Sequence, residues 1–123
     1  MAVYSVGVDL IEIERVEKLL ERYGDKFIKR IYSDHEIDYC SKKKDKGSFA
    51  ARFAAKESVF KATGLGLGKG MSWKDIEVIN DEKGKPEVKL YGRTAELLID
   101  KKIHISLSHS KDAAIAMVVV DES

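Results

Sequence analysis

In residues 49–62, large apolar and small side chains recur at the helical period, yet the helix that this pattern predicts has no evident solvent face. On a helical projection, phenylalanines fall on one arc and small residues fall on the opposite arc. Both arcs are suited to packing, so charge between them lies in a seam, where it is costly unless it has a partner. We therefore expect a buried central helix whose charged residues have specific partners. The phenylalanines are Phe49, Phe53 and Phe60, and the small residues are Ala51, Ala55, Ser58 and Ala62.

The charged residues of this helix form two pairs, one in each seam. Arg52 and Lys56 lie on one edge, and Glu57 and Lys61 lie on the other. The helix leads directly into residues 64–70, a glycine-rich loop whose backbone amides can come close to an anion. The pattern indicates a site for a charged ligand beside this helix.

Composition sets limits on the class of protein. The length of 123 residues fits a single domain over 1–123, and a net charge of +1 argues against a strongly basic nucleic-acid binder. Cys40 has no partner for an intrachain disulfide, and the N-terminal segment lacks the features of a signal peptide. The longest apolar run, 113–120, is far shorter than the roughly 18 residues that span a bilayer. We expect a cytoplasmic protein that binds neither membrane nor nucleic acid.

The remaining pattern predicts an α+β domain with a mostly antiparallel sheet and helices on one side. A capping box at Ser33 and Glu36 opens a short helix toward Cys40, and a lysine-rich loop follows it. Two hairpins are indicated, one around the turn at residues 80–84 and one around residues 110–112. Strands are predicted over 3–8, 76–79, 87–90, 103–107 and 113–120, and further helices over 13–23 and 94–99.

Asp9 follows the first strand in an apolar stretch, just after Gly7, which allows another chain segment to come close. Its simplest role is to cap the next helix. If the strand lies beside the central helix, however, Asp9 meets Glu57, and two carboxylates repel unless a proton or cation lies between them. An oxygen-only pair suits Mg²⁺, which usually also binds substrate phosphates. A simple ion pair of Glu57 with Lys61 is the alternative.

A second candidate cluster lies near the C-terminus. Alternation along the strand places His104, Ser106 and Ser108 on one face, with His109 at the strand end. These groups could bind a phosphate or a base, although a lone histidine is more often structural or on the surface. A serine hydrolase is disfavoured because the chain has no Gly-x-Ser-x-Gly turn.

Four separated motifs resemble those of the holo-[acyl-carrier-protein] synthases, the short bacterial branch of the 4'-phosphopantetheinyl transferases. They are GVDLIEI at 7–13, RFAAKESVFKA at 52–62, WKDIEV at 73–78 and SLSHS at 106–110. One departure is Leu65, since relatives often have a threonine there, and its hydroxyl contact is absent. The resemblance implies transfer of phosphopantetheine from coenzyme A to a serine of apo acyl carrier protein in fatty acid biosynthesis, with release of adenosine 3',5'-bisphosphate.

The resemblance also implies roles for the carboxylate edge of the helix. Asp9 and Glu57 would bind Mg²⁺, which would hold the pyrophosphate of coenzyme A and polarise the attacked phosphorus. Lys61 would neutralise charge on the bridging and leaving oxygens. The carrier serine would lose its proton either to a metal-bound water or to Glu57.

Further residues follow from the same resemblance. A homotrimer with active sites at subunit interfaces is expected, and the acidic carrier protein would dock on Arg15 and Arg22. An ordinary solvated helix face is the alternative for these arginines, and a solvated loop is the alternative for Lys44. The residues implied in binding coenzyme A are Lys44, Arg52 and Lys56 for the phosphates, the backbone of Gly64, Gly66 and Gly68, and Ser108 and His109 near the adenosine bisphosphate.

Two other classes of protein remain open on the sequence. A binding module could hold coenzyme A without transferring anything, but it would not need a carboxylate pair. A magnesium-dependent phosphohydrolase would use the same acids on water, and would release adenosine 3',5'-bisphosphate without any carrier protein.

Overall fold

The computed structural model describes residues 2–122, so Met1 and Ser123, at the ends of the predicted domain, lie outside the described residues. The described residues form two antiparallel sheets and five helices, and a short 3₁₀ turn, Trp73–Asp75, precedes the second strand. The strands are β1 (Val3–Glu12), β2 (Ile76–Asn80), β3 (Pro86–Leu90), β4 (Lys102–His109) and β5 (Ala113–Asp121). The helices are α1 (Ile13–Tyr23), α2 (Asp25–Ile31), α3 (Asp34–Ser41), α4 (Gly47–Ala62) and α5 (Gly92–Leu97).

The predicted α+β class and both hairpins are confirmed. One sheet has the strand order β1-β5-β4, and the other contains only β2 and β3. The capping box that opens α3 is also confirmed, because the Ser33 hydroxyl accepts from the Glu36 amide at 3.2 Å and the Glu36 carboxylate accepts from the Ser33 amide at 2.8 Å.

The largest departures from the prediction are in β1 and α2, while α5, predicted over 94–99, lies at Gly92–Leu97, and β4, predicted over 103–107, extends over Lys102–His109. β1 was predicted over 3–8 but continues to Glu12, because residues 9–12 pair with residues 113–116 of β5. The helix α2 was not predicted, since its seven residues are too few for a helical period to stand out. Gly24, with φ of 53°, ends α1 and lets the chain turn directly into α2.

The central helix α4 lies against one face of the three-stranded sheet, and all its residues except Glu57 and Lys61 are buried. Gly7 is what allows β1 to lie directly on this helix. A Cβ at Gly7 would be 2.0 Å from the Ser58 carbonyl oxygen. The Ser58 hydroxyl in turn donates to the Ala116 carbonyl at 3.1 Å. The helix predicted to have no solvent face therefore occupies the centre of the fold.

The other face of the three-stranded sheet is open and apolar. Residues that alternate with the buried ones on β1 and β5 point away from α4 and are exposed by 40% to 67%. They are Val6, Val8, Leu10, Ile115 and Met117. This set is called the open sheet face below.

Among residues 2–122, none of the helices has the length and apolar character that crossing a membrane requires.

Candidate active site

One edge of α4 carries an acid and a lysine that meet β1. The ammonium group of Lys61 lies 3.0 Å from a carboxylate oxygen of Asp9 and donates to the Val8 carbonyl at 3.1 Å. Asp9 is largely buried, with its side chain 16% exposed, whereas Lys61 is 51% exposed. Asp9 therefore faces the helix rather than solvent, and Lys61 keeps its charged end accessible.

Glu57 belongs to the same cluster. Burial raises the pKa of its carboxyl, and the nearby Asp9 raises it further, while Lys61 and Arg15 act in the opposite direction. Glu57 and Lys61 lie in the last two turns of α4, where the helix dipole favours positive charge. Two carboxylates in such surroundings are stabilised by a bound cation. We call Asp9, Glu57 and Lys61 the carboxylate edge.

The donor set of the carboxylate edge fits a hard divalent cation. Both candidate ligands offer oxygen, and within residues 2–122 there is no cluster of three or more His, Cys, Asp or Glu that would form a closed metal site. Mg²⁺ needs only one or two protein carboxylates, because waters and substrate phosphates complete its shell. Asp9 and Glu57 can therefore hold Mg²⁺ as an open site.

The opposite edge of α4 contains a buried cation without an anion. Arg52 is 4% exposed, and its guanidinium lies 4.3 Å from the ring centre of Tyr39 and donates to the Asn80 side-chain oxygen at 2.6 Å. Its Nε finds no hydrogen-bond partner in the part of the chain that the structure describes, and no carboxylate of residues 2–122 pairs with it. A buried arginine without a paired carboxylate would be stabilised by an anion bound from outside the chain.

Arg52 lines a cavity of about 200 Å³. We call it the nucleotide cavity, because the family resemblance implies that the adenosine bisphosphate of coenzyme A lies near Arg52 and His109. His109 lies on its wall, and the close approach of its ring is possible because residue 47 is glycine. A Cβ there would be 2.7 Å from His109 Nδ1. The cavity is lined by Tyr39, Ser48, Ala51, Arg52, Asn80, Gly84, Pro86, Leu107 and His109.

Ser108 is placed differently from the expectation that it would accompany His109. Along β4 the buried-side residues are Ile103, Ile105 and Leu107, so Ser108 and Ser106 share the face that continues the open sheet face. Within one chain, Ser108 therefore lies on the opposite side of the strand from the nucleotide cavity.

The expectation for Lys56 is corrected by the structure. Its side chain is fully buried, with its ammonium group 2.8 Å from a carboxylate oxygen of Glu36. It also donates to the backbone carbonyls of Trp73, at 3.3 Å, and Ile76. Burial lowers the pKa of Lys56, while Glu36 opposes that shift. Because its charge is already engaged inside the core, Lys56 cannot bind a phosphate from solvent.

The glycine loop is also partly corrected. The Gly64 amide donates to the Lys61 carbonyl at 3.0 Å, and the Gly66 amide donates to the Phe60 carbonyl at 3.2 Å. Both amides therefore close the C-terminus of α4 instead of pointing at an anion. The predicted role of Gly68, whose φ is 124°, stays a prediction.

The residues expected to meet the carrier protein lie on one groove of α1. Its lining is of mixed charge and consists of Glu12, Glu14, Arg15, Lys18, Leu19, Arg22 and Tyr23. Arg15 is also close enough to Glu57 to lower the pKa of that carboxyl. Lys44 lies apart from this groove, exposed in the loop between α3 and α4.

Sequence reasoning missed several residues that the fold brings to these sites. Asn80 was assigned only to the hairpin turn, and no local pattern indicated that it would meet Arg52. Phe27 was missed because α2 was missed. It lines an apolar groove between α1 and α2, next to Leu19 and Tyr23.

The two candidate edges cannot face the same way. Arg52 and Glu57 are five residues apart on α4, which separates them by about 140° around the helix axis. In one chain the nucleotide cavity and the carboxylate edge thus lie on different sides of α4, and they are called the two half-sites below.

The comparisons with known proteins define the class. A family description of the 4'-phosphopantetheinyl transferase superfamily matches residues 5–118, and the chain belongs to this superfamily. The family assignment made from the four motifs is thereby confirmed.

Individual relatives agree with this assignment over nearly the whole chain. The chain is 50% identical to a holo-[acyl-carrier-protein] synthase of Geobacter sp. (strain M21), covering 97% of this chain and 98% of the relative. A holo-[acyl-carrier-protein] synthase of Helicobacter pylori, solved in complex with coenzyme A, superposes with a TM-score of 0.85 at 36% identity, covering 94% of this chain and 99% of that one. A Bacillus anthracis synthase, solved in complex with CoA (3',5'-ADP), gives a TM-score of 0.84 at 40% identity and 98% coverage of both chains.

Proposed function

We infer that this protein transfers 4'-phosphopantetheine from coenzyme A to a serine of apo acyl carrier protein, giving the holo carrier and adenosine 3',5'-bisphosphate, for fatty acid biosynthesis. The observation that carries this inference is the carboxylate edge, where Asp9, Glu57 and Lys61 meet at the accessible end of an otherwise buried helix. A binding module would have no use for this cluster. Relatives with the synthase name match along 97% of the chain.

Asp9 and Glu57 would hold Mg²⁺, which supplies Lewis-acid polarisation of the phosphoryl oxygens when bound. Lys61 is half exposed, so its ammonium group can turn from Asp9 to the phosphate oxygens and neutralise the charge that develops on them. The carboxylate of Glu57 would be one candidate to accept the proton of the incoming serine hydroxyl, since it lies beside Asp9 and Lys61 at the carboxylate edge.

The nucleotide end of coenzyme A would lie in the nucleotide cavity. The unpaired Nε of Arg52 supports a phosphate there, and His109 and the Ser48 hydroxyl line the same space. Lys44, on the neighbouring loop, would add positive charge from the solvent side.

We further propose that the protein is a homotrimer with each active site at a subunit interface, within the cytoplasm. The open sheet face supports an assembly, because a contiguous apolar surface of this kind is usually covered by a partner. The two half-sites support an interface site, because a carboxylate edge of one subunit can face the nucleotide cavity of its neighbour. The cytoplasmic location is supported by the free, buried thiol of Cys40.

The carrier protein would dock on α1. Arg15 and Arg22 offer positive charge to an acidic carrier, and the apolar groove beside them, lined by Leu19, Tyr23 and Phe27, offers contact area. Arg15 also lies close to Glu57, so a carrier held there would present its serine next to the carboxylate edge.

The central test is intact mass spectrometry of apo acyl carrier protein after incubation with the enzyme, coenzyme A and Mg²⁺. A mass gain of one phosphopantetheine, lost with a chelator and lost in Asp9→Asn and Glu57→Gln proteins, is expected. An active Glu57→Gln protein would contradict the mechanism. Release of adenosine 3',5'-bisphosphate without carrier would instead indicate a phosphohydrolase.

The interface site has its own test, by subunit complementation. Asp9→Asn lacks a working carboxylate edge and Arg52→Ala lacks a working nucleotide cavity, so each protein alone should be nearly inactive. Mixed trimers pair an intact edge with an intact cavity at some interfaces, so co-expression should restore part of the activity. No recovery in verified mixed assemblies would place both half-sites within one chain.

A further inference from the structure

We propose that the buried pair of Lys56 and Glu36 is a positioning device for the nucleotide cavity, because it fixes the β2–β3 hairpin against α4. The hairpin turn forms one wall of that cavity, through Asn80, Gly84 and Pro86. The inference rests on the proposed function, since it identifies what sets the affinity of the same site for its nucleotide.

The hairpin needs an anchor of this kind. It is a two-stranded sheet, and in the described residues no backbone ladder joins it to the three-stranded sheet. A two-stranded hairpin alone is marginally stable in water. Its position relative to α4 must therefore come from side-chain contacts.

The Lys56–Glu36 pair supplies the polar part of those contacts, at the outer edge of β2, beside the apolar packing of Ile76 and Val78 in the core. Lys56 donates to the Ile76 carbonyl, and the second carboxylate oxygen of Glu36 accepts from the Val78 amide at 2.8 Å. Residues two apart on a strand direct these backbone groups to the same edge. The ion pair thus occupies the place that a neighbouring strand would take, and it joins α3, α4 and β2 at one buried point.

The same edge of β2 continues into the cavity. Arg52, one helical turn before Lys56, donates to Asn80 at 2.6 Å, and the Asn80 amide group donates to the Gly84 carbonyl at 3.0 Å. Two consecutive turns of α4 thus contact β2 at two places, through Arg52 at Asn80 and through Lys56 at Ile76. If Lys56 releases Ile76, the hairpin can shift along α4, and the wall formed by Asn80 and Gly84 moves relative to the Arg52 guanidinium.

The test compares the double variant Glu36→Gln/Lys56→Met with the wild type. The double variant leaves no unpaired buried charge, so it should remain folded by circular dichroism. It loses the anchor at Ile76, so its Kd for adenosine 3',5'-bisphosphate by calorimetry and its KM for coenzyme A should both rise about 10-fold, with a much smaller loss in kcat. Lys74→Met, which removes an exposed lysine just before the hairpin, is the matched control and should bind as the wild type does.

A folded double variant that binds the nucleotide as tightly as the wild type would overturn the positioning role. If the double variant does not fold, amide exchange in the wild-type protein decides. Bound adenosine 3',5'-bisphosphate should slow exchange at Val78, which lies outside the cavity, and unchanged exchange there would also overturn the inference. A wild-type protein that neither binds the nucleotide nor modifies the carrier would instead overturn the proposed function, and the inference with it.

Discussion

Gly7→Ala should destabilise the protein far more than an added methyl group normally does. The new Cβ would lie 2.0 Å from the Ser58 carbonyl oxygen and 3.0 Å from its carbon, whereas ordinary contact begins at 3.4 Å. Both atoms belong to the backbone of α4 and cannot rotate away. β1 and α4 must therefore separate by more than about 1 Å. Protein cores are packed about as densely as organic crystals, so such a shift disrupts neighbouring contacts.

The loss in the free energy of unfolding follows from the contacts that this separation breaks. Overpacking of a core typically costs about 1 to 3 kcal/mol. The hydroxyl of Ser5 on β1 donates to the Ala62 carbonyl at 2.6 Å. The hydroxyl of Ser58 donates at 3.1 Å to Ala116 on β5, a strand that is paired with β1 and must move away from α4 with it. Each of these hydrogen bonds contributes about 1 kcal/mol. The total loss should be about 3 to 5 kcal/mol, which is a large share of the roughly 5 to 15 kcal/mol of a typical domain.

Gly47→Ala is the matched control. There the new Cβ would also be too close to its neighbours, at 2.7 Å from His109 and 2.9 Å from Asp45, but these are the ends of side chains that can move. Its loss of stability should stay below about 1 kcal/mol, since alanine is also the better helix former. Because the His109 ring must shift, nucleotide binding should weaken instead.

The assay is urea unfolding followed by circular dichroism, at two protein concentrations because the proposed assembly would contribute to stability. The expected result is a large loss for Gly7→Ala and a small loss for Gly47→Ala. If Gly7→Ala lost less than about 1 kcal/mol, the packing of β1 directly on the α4 backbone would be wrong.

Three further predictions follow from other features. At pH 7, Glu57→Gln should be more stable than the wild type, because burial and Asp9 raise the pKa of Glu57 and its charge therefore opposes folding. In thermal unfolding, this gain should disappear as the pH falls below 4.5, the ordinary pKa of a glutamate, and a gain that persists there would contradict the stated cause. Burial raises the pKa of Cys40 to about 11, so iodoacetamide at pH 8 should label the native thiol far more slowly than the unfolded one, and equal rates would contradict its burial. Leu10→Asp should convert the proposed trimer to monomers in light scattering, while Lys83→Asp, at an exposed turn, should leave it intact. A Leu10→Asp protein that still assembles would show that the open sheet face is not the interface.

Much of the fold could be read from the sequence because local patterns determine it. The two-sided packing pattern predicted that α4 would be buried, and the capping box at Ser33 predicted the start of α3. Gly7, two residues before Asp9, predicted the close approach of β1 to another segment. The seven-residue helix α2 and the last four residues of β1 were missed, since short elements and strand ends depend on their tertiary partners.

The candidate site was harder to predict, because similar residues on one edge have different partners. Arg52 and Lys56 are both buried cations one turn apart, and the sequence assigned both to phosphates. Lys56 is neutralised by Glu36, a residue whose visible local role was only to cap α3. Arg52 meets the neutral Asn80 instead, so its charge stays available. Only the three-dimensional contacts distinguish these two cations.

The ion pair at the outer edge of β2 also bears on aggregation. A strand edge with unpaired backbone groups is a template on which another chain can add a strand. On β2, the carbonyl of Ile76 and the amide of Val78 are both occupied inside the core by Lys56 and Glu36. Unlike a charged residue on a solvent-facing edge, which only repels an incoming chain, this pair holds two backbone groups of the strand Ile76–Asn80 inside the core, so these groups are not offered to another chain while the domain stays folded.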